Sequence, residues 1–254
     1  MYMKNAVKEK LAAGDIVYGC FMPTTSALDV EILAVAGFDF VLLDAEHGPL
    51  APESAYPMIL AAEARGVEPF ARVGQNDKQV ILKFLDIGIS GVMIPQVNNA
   101  AQAAQAIEAT RYWPEGARGL AGGRTFDWGL ERPATEIVPA LNDRVLTMIQ
   151  FEHIDALANL DTILDVPGLD VLFVGPNDLA QSMGFPGQPG HPEALAVADR
   201  VVDRARAKGI KLGTVAFSVE AAKSAVDRGF SMIVPNSPGM LAVAARAFID
   251  AAPR

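Results

Sequence analysis

Val145-Leu146-Thr147-Met148-Ile149-Gln150-Phe151-Glu152 and, further along, Val171-Leu172-Phe173-Val174-Gly175-Pro176-Asn177-Asp178 carry one pattern twice. Each is a short apolar run that reads as a buried β-strand, with a carboxylate just past its end. In a parallel α/β protein the carboxyl ends of successive strands converge on one mouth. Glu152 and Asp178, distant in sequence, are therefore expected to meet there. Two hard oxygen ligands at such a place point to a divalent cation.

The same alternation runs through the rest of the chain. Strands are expected at 17–22, 38–43, 68–73, 91–95, 144–151, 170–174, 211–217 and 230–234. Ala-rich helical stretches separate them, near 27–36, 52–64, 77–85, 100–110, 155–164, 192–208 and 219–228, with a last one near 238–251. Gly37, Gly66, Gly88, Gly168, Gly209 and Gly229 stand where helices hand over to strands, and glycine takes the left-handed conformation that ends a helix. Eight βα units make a TIM (β/α)8 barrel the leading architecture, with an open doubly wound α/β sheet as the alternative. No linker or composition break divides the chain, so residues 1–254 read as one domain. A leading helix at 4–11 is expected to close the barrel's other end. Two irregular stretches, 112–129 and 183–192, interrupt the alternation. Taken as inserts after strands, they are expected at the catalytic face as lids or subunit contacts.

Bulk composition narrows the function classes. The 254 residues are 51% hydrophobic, ample for a sizeable core, and carry a net charge of −9. Without a basic run, nothing favours nucleic acid or an anionic membrane as partner. The one cysteine, Cys20, rules out an internal disulfide and any Cys-based zinc site, and its place in a strand makes it a packed core thiol. No segment approaches the apolar length of a membrane helix and no h-region follows the amino terminus. A soluble, cytoplasmic protein is expected.

Several side chains fall at strand ends. His47 lies in Asp44-Ala45-Glu46-His47-Gly48-Pro49, directly after the second strand. An imidazole there suits a general base; the alternative is a loop histidine capping a carbonyl. Arg72 ends the third strand, where it must pair internally or face a polar mouth. Facing the mouth, its planar fork suits a keto oxygen or a carboxylate. Gln150 and Glu152, two apart, project to one side. The Gly175-Pro176-Asn177-Asp178 turn offers free N–H groups to a small anion, although Asp178 alone would read as a helix N-cap. His153 is expected to start a helix and His191 to be structural. No lysine falls at a strand's carboxyl end, which disfavours a Schiff base. No phosphate-loop or dinucleotide glycine motif is present.

Asp44 to Pro49, Arg72, Arg111 to Gly119, Gln150-Phe151-Glu152 and Val174 to Leu179 with Met183-Gly184 together resemble the HpcH/HpaI aldolase family. The 4-hydroxy-2-oxoheptanedioate and 2-keto-3-deoxy-sugar-acid aldolases are its nearest branches. The resemblance implies a metal-dependent, class II pyruvate aldolase that assembles into homotrimers or homohexamers by exchanging its last helix. It also implies that Glu152 and Asp178 hold Mg²⁺ or Mn²⁺, with Co²⁺ a further alternative. Gln150, Asn177 and Asp178 would contact pyruvate, Arg72 would stabilise the enolate oxygen, and His47 would move a proton. Asp86 matches a carboxylate that raises the histidine's basicity; lying late in a helix that runs away from the mouth, it would reach His47 from a neighbouring subunit. Ala45, where the family often has Gly, and His153, where it has a small hydroxylic residue, bear on substrate choice.

The expected reaction is cleavage of a 4-hydroxy-2-oxo acid to pyruvate, or an analogue such as hydroxypyruvate, and an aldehyde. The base is His47 or metal-bound hydroxide. Rival readings are a citrate-lyase β-like acyl-CoA lyase, which would need a basic groove, and a non-catalytic binding barrel, which would have lost one of Glu152, Asp178, Arg72 and His47.

Overall fold

The computed structural model describes residues 4–253. Its eight parallel strands, β1 Val17–Met22, β2 Phe40–Asp44, β3 Glu68–Arg72, β4 Gly91–Ile94, β5 Leu146–Phe151, β6 Val171–Val174, β7 Lys211–Val215 and β8 Met232–Val234, close in sequence order into a barrel. The helices are α1 Ala6–Ala13, α2 Ala27–Ala36, α3 Pro52–Arg65, α4 Lys78–Asp86, α5 Ala100–Thr110, α6 Ala134–Arg144, α7 Leu160–Leu164, α8 Pro176–Ser182, α9 Pro192–Ala207, α10 Val219–Asp227 and α11 Ser237–Ala251. The barrel is thus the TIM-like α/β architecture expected. Among the described residues, no helix is long and apolar enough to cross a membrane.

Alternation along each strand builds two cores. Outward residues such as Val41, Leu43, Ile94 and Ile149 pack against the helices. Inward residues, among them Val17, Phe40, Leu42, Phe70, Met148 and Phe173, fill the barrel. Large faces small in this interior. A Cβ on Gly19 would lie 2.1 Å from the Phe40 ring, and one on Gly91 2.5 Å from the ring of Phe70. The glycines leave room for these rings, which is why the interior is packed and not a pore. Continuing the inward rows to the carboxyl ends brings up Asp44, Arg72 and Gln150, so the fold's own period sets polar groups on top of an apolar plug.

At the opposite end α1 closes the barrel. Val7 and Leu11 join the interior cluster, and Asn5, the N-cap, donates to Ser90 and Arg144 carbonyls at 2.9 and 3.1 Å. Burying these otherwise orphaned carbonyls against a cap amide satisfies them without water.

Two expectations need correction. Residues 134–144 form α6, unexpected because Pro139 sits inside it. An internal proline removes a helical hydrogen bond; here Ile137 and Leu141 anchor the helix in a satellite cluster with Tyr112 and Phe126. The 112–129 stretch follows α5 and not a strand, so it lies at the barrel's amino-terminal end and is no lid over the mouth. Arg111 reaches Thr147 and Asp170 at the starts of β5 and β6, while Arg124 reaches Glu63 and the Ile87 carbonyl near the ends of α3 and α4.

Candidate active site

Six of the seven residues singled out by the sequence converge. His47, Arg72, Gln150, Asn177 and Asp178 line a cavity of about 470 Å³ at the carboxyl end of the barrel. A second lobe of about 430 Å³, lined by Glu46, Gln96, Glu152 and Gln181, shares His47 and Asp178 with the first. Both volumes lie in the range of small-molecule sites. Neither lobe is lined by a lysine.

Glu152 is buried, and Gln96 N–H and Gln150 Nε2 donate to its two oxygens at 2.7 and 2.6 Å. Burial, against the pull of the Gln96 N–H, pushes its carboxyl up to about 7, and the nearby charges of Glu46 and Asp178 add to the rise. Gln96 adopts the left-handed backbone conformation at φ 56°, uncommon for a residue with a side chain. Gly175 lets the next strand approach: a Cβ there would sit 3.3 Å from Cβ of Glu152. Asp178 is not the N-cap of α8, a position held by Gly175. It is exposed, in the first turn.

Arg72 both pairs and faces the mouth. Its Nε and Nη2 donate to Asp44 Oδ1 and Oδ2 at 2.9 and 2.6 Å, and the guanidinium carbon sits 4.6 Å from the centre of the Phe21 ring. Glu46 Oε2 lies 3.2 Å from Nη1 but is misaligned and has no hydrogen-bond partner. Burial pushes the Glu46 carboxyl up against the pull of Arg72. Burial acts the same way on Asp44, yet the Arg72 fork and two backbone N–H groups outweigh it and hold Asp44 below the usual carboxylate range. His47 is largely exposed, its Nε2 4.0 Å from Glu46 Oε2.

Asp44 and Glu46 were not singled out in the sequence, although they stand in its most distinctive run. What sets Asp44 apart is register, directly across from Arg72, which the local sequence does not show. Gln96 gave no signal. Asp86, by contrast, ends α4 at the far end of the barrel and accepts from Arg118 Nη2 at 2.9 Å. His153 caps a 3₁₀ turn by accepting from the Asp155 N–H, and His191 caps α9. Cys20 is fully buried.

The donor set suits a hard cation. Glu152, Asp178 and Glu46 bring like charges to one cavity, and Gln150 Oε1 is buried without a hydrogen-bond partner. Among the described residues, no group of three or more His, Cys, Asp or Glu side chains is preformed to hold a metal. Two carboxylates would leave the remaining positions to water and substrate, the usual habit of Mg²⁺.

The chain is similar to known proteins along nearly its whole length. The chain is 35% identical over 242 residues to the 2-keto-3-deoxy-L-rhamnonate aldolase of Escherichia coli K12, covering 94% of this chain and 89% of the relative. An HpcH/HpaI aldolase/citrate lyase family protein from Burkholderia cenocepacia superimposes with a TM-score of 0.92 at 29% identity, covering 97% of this chain and 98% of the other. The HpcH/HpaI aldolase of Desulfitobacterium hafniense does so at 0.88 and 30%, covering 97% of each. The family model for HpcH/HpaI aldolase/citrate lyase matches residues 17–245, and the chain belongs to that family as a carbon–carbon lyase.

Proposed function

We propose that the protein catalyses reversible aldol cleavage of a 4-hydroxy-2-oxo acid, giving pyruvate or a close analogue such as hydroxypyruvate and an aldehyde. The observation that carries this reading is the meeting of Glu152 and Asp178 with Arg72, Gln150 and His47 in two lobes that share His47 and Asp178. Glu152 and Asp178 would hold a divalent cation, Mg²⁺, Mn²⁺ or Co²⁺. When bound, the cation supplies Lewis acidity toward the 2-keto oxygen.

The chain's own residues account for the rest. His47 takes the proton from the 4-hydroxyl as the C3–C4 bond breaks and the aldehyde leaves. The electron pair moves into the C2 carbonyl, and Arg72 donates hydrogen bonds where that negative charge grows. Asp44 occupies Nε and one Nη2 hydrogen, so the remaining N–H groups of the fork are the ones available to substrate. Returning the proton from His47 to C3 yields the methyl group of pyruvate. Gln150 and the Asn177-Asp178 turn hold the oxo acid, and the absence of lysine from either lobe agrees with a mechanism that forms no Schiff base.

The C-terminal helix supports assembly by exchange. α11 buries none of its residues in its own chain, with Leu241, Val243, Phe248 and Ile249 all exposed. Beside its start lies an apolar groove of about 400 Å³ lined by Phe38, Phe217, Val219 and Ile233. A neighbouring copy's α11 fits that description, in a homotrimer or homohexamer, and the same contact would let a neighbour's Asp86 approach His47. Work in the cytoplasm agrees with a single buried thiol.

The test is cleavage and condensation with pyruvate and a panel of aldehydes, with and without Mg²⁺ or Mn²⁺, after EDTA treatment. Activity should vanish on chelation and return with metal, and borohydride with pyruvate should trap no adduct. Full activity after exhaustive chelation overturns the reading.

A further inference from the structure

We propose that Asp44 is a positioning residue of this site: one buried carboxylate that sets both the Arg72 guanidinium and the turn carrying His47. The inference rests on the aldolase reading, in which Arg72 and His47 act on substrate.

Asp44 is the last residue of β2 and Arg72 the last of β3, paired in register. Both are buried at the floor of the cavity. The carboxylate takes the guanidinium in a two-point fork, at 2.9 and 2.6 Å. Oδ1 also accepts the backbone N–H groups of Glu46 and His47, each at 3.2 Å. Three of these contacts crowd onto Oδ1 and the fourth falls on Oδ2, so both oxygens of the carboxylate are engaged within the protein. Buried, with both oxygens turned to Arg72 and the turn, Asp44 acts through the groups it holds.

A pair that merely neutralised a buried charge would need neither the fork nor the turn. The fork fixes the plane of the guanidinium, which Phe21 covers from one side. With the plane fixed, the unused N–H groups of Nη1 and Nη2 are confined to it, as a preorganised oxyanion donor must be. The turn is equally constrained. Gly48 N–H closes back onto the Asp44 carbonyl at 3.1 Å, and a Cβ on Gly48 would lie 2.4 Å from that oxygen and 2.9 Å from Cα of Pro23. The turn that presents His47 has no room to drift while Asp44 holds its N–H groups. Strand end, guanidinium and histidine are thus tied to one carboxylate.

The experiment is a double-mutant cycle on the metal-loaded enzyme, with Asp44→Asn, Arg72→Lys and both together. Arg72→Lys should lower kcat by about 10²-fold, since a flexible ammonium lacks the planar fork. Asp44→Asn should lose a similar factor with a smaller change in KM, because an amide cannot accept from both Nε and Nη2. The double variant should fall no more than about threefold below the worse single one, as expected for residues acting as a unit. Losses that multiply, or full turnover by Asp44→Asn, overturn the proposal. Should Asp44→Asn fail to fold, Asp44→Glu keeps the charge while displacing the fork, and the same non-additive loss is expected; wild-type turnover there overturns the proposal as well. Full turnover by Arg72→Lys would overturn the aldolase reading of Arg72 itself, and the proposal with it.

Discussion

Replacing Glu152 by glutamine should abolish activity and yet stabilise the metal-free protein. In the folded chain the Glu152 carboxyl is pushed from 4.5 to about 7, first by burial, with Glu46 and Asp178 adding to it. At about 1.4 kcal/mol per pH unit, that rise corresponds to about 3 kcal/mol of folding free energy lost once the group is forced to ionise. The sign follows from proton binding. Between pH 4.5 and 7 the folded state holds a proton that the unfolded state has released, so wild-type stability falls as pH rises through this window. Below it the penalty is absent, and above it the penalty is complete. An amide at this position carries no such penalty. It still accepts the Gln96 N–H, and once the Gln150 side chain turns over, it donates to the Oε1 that now has no partner.

The assay is urea unfolding followed by far-ultraviolet circular dichroism, in EDTA, at one protein concentration, at pH 5 and pH 8. The variant should exceed wild type by no more than about 1 kcal/mol at pH 5 and by about 3 kcal/mol at pH 8. Saturating Mn²⁺ should then reverse the order, since a cation bound only by folded wild type adds about 4 kcal/mol at a thousand times its dissociation constant. A gap that does not depend on pH, or a variant less stable than wild type at pH 8, would refute the reasoning.

Three further outcomes follow from burial. Asp178→Asn should weaken metal binding, read by calorimetry, and remove most activity, but leave metal-free stability within about 0.5 kcal/mol, because the side chain is exposed and makes no hydrogen bond or ion pair among the described residues. Burial pushes the Cys20 thiol up to about 12, so it stays protonated at pH 8 and iodoacetamide should label it only as fast as the barrel opens; rapid labelling of native protein would contradict this. Removing residues 237–254 should give aggregated or poorly folded material by light scattering, since α11 and its groove bury apolar surface only between copies; a stable, active monomer of the intact chain at micromolar concentration would count against exchange.

The barrel was legible because its period is local. Alternation within a strand and a glycine after a helix can be read a few residues at a time, and so can a polar residue at a strand's end. What lies across the barrel cannot. Nothing within Val41 to Asp44 says that Asp44 will face Arg72, because that contact depends on the register between β2 and β3. The misplacement of 112–129 has a similar cause. A strand end marks the mouth only when the direction of the intervening helix is counted, and α5 carries the chain back to the other end before that stretch begins. The α6 helix was hidden by Pro139, whose local preference tertiary packing overrides.

The two ends of the barrel show why burial of charge alone does not mark a site. Glu68 and Glu152 are equally buried, each 8% exposed, at opposite ends of inward-facing rows. Glu68 accepts from the Ser90 hydroxyl and the Ala6 N–H, at 2.6 and 3.0 Å, and has Arg144 at 3.5 Å. Each of these partners is neutral or opposite in charge, so the carboxylate is satisfied within the chain. Glu152 instead looks toward Glu46 and Asp178, carboxylates that raise its pKa, while Arg72, whose charge pulls it down, is forked onto Asp44. Like charges gathered in a half-open cavity destabilise the fold they sit in unless something positive joins them. A barrel with Glu68 at one end has finished its electrostatics on folding, whereas the end with Glu152 is completed only by what it binds.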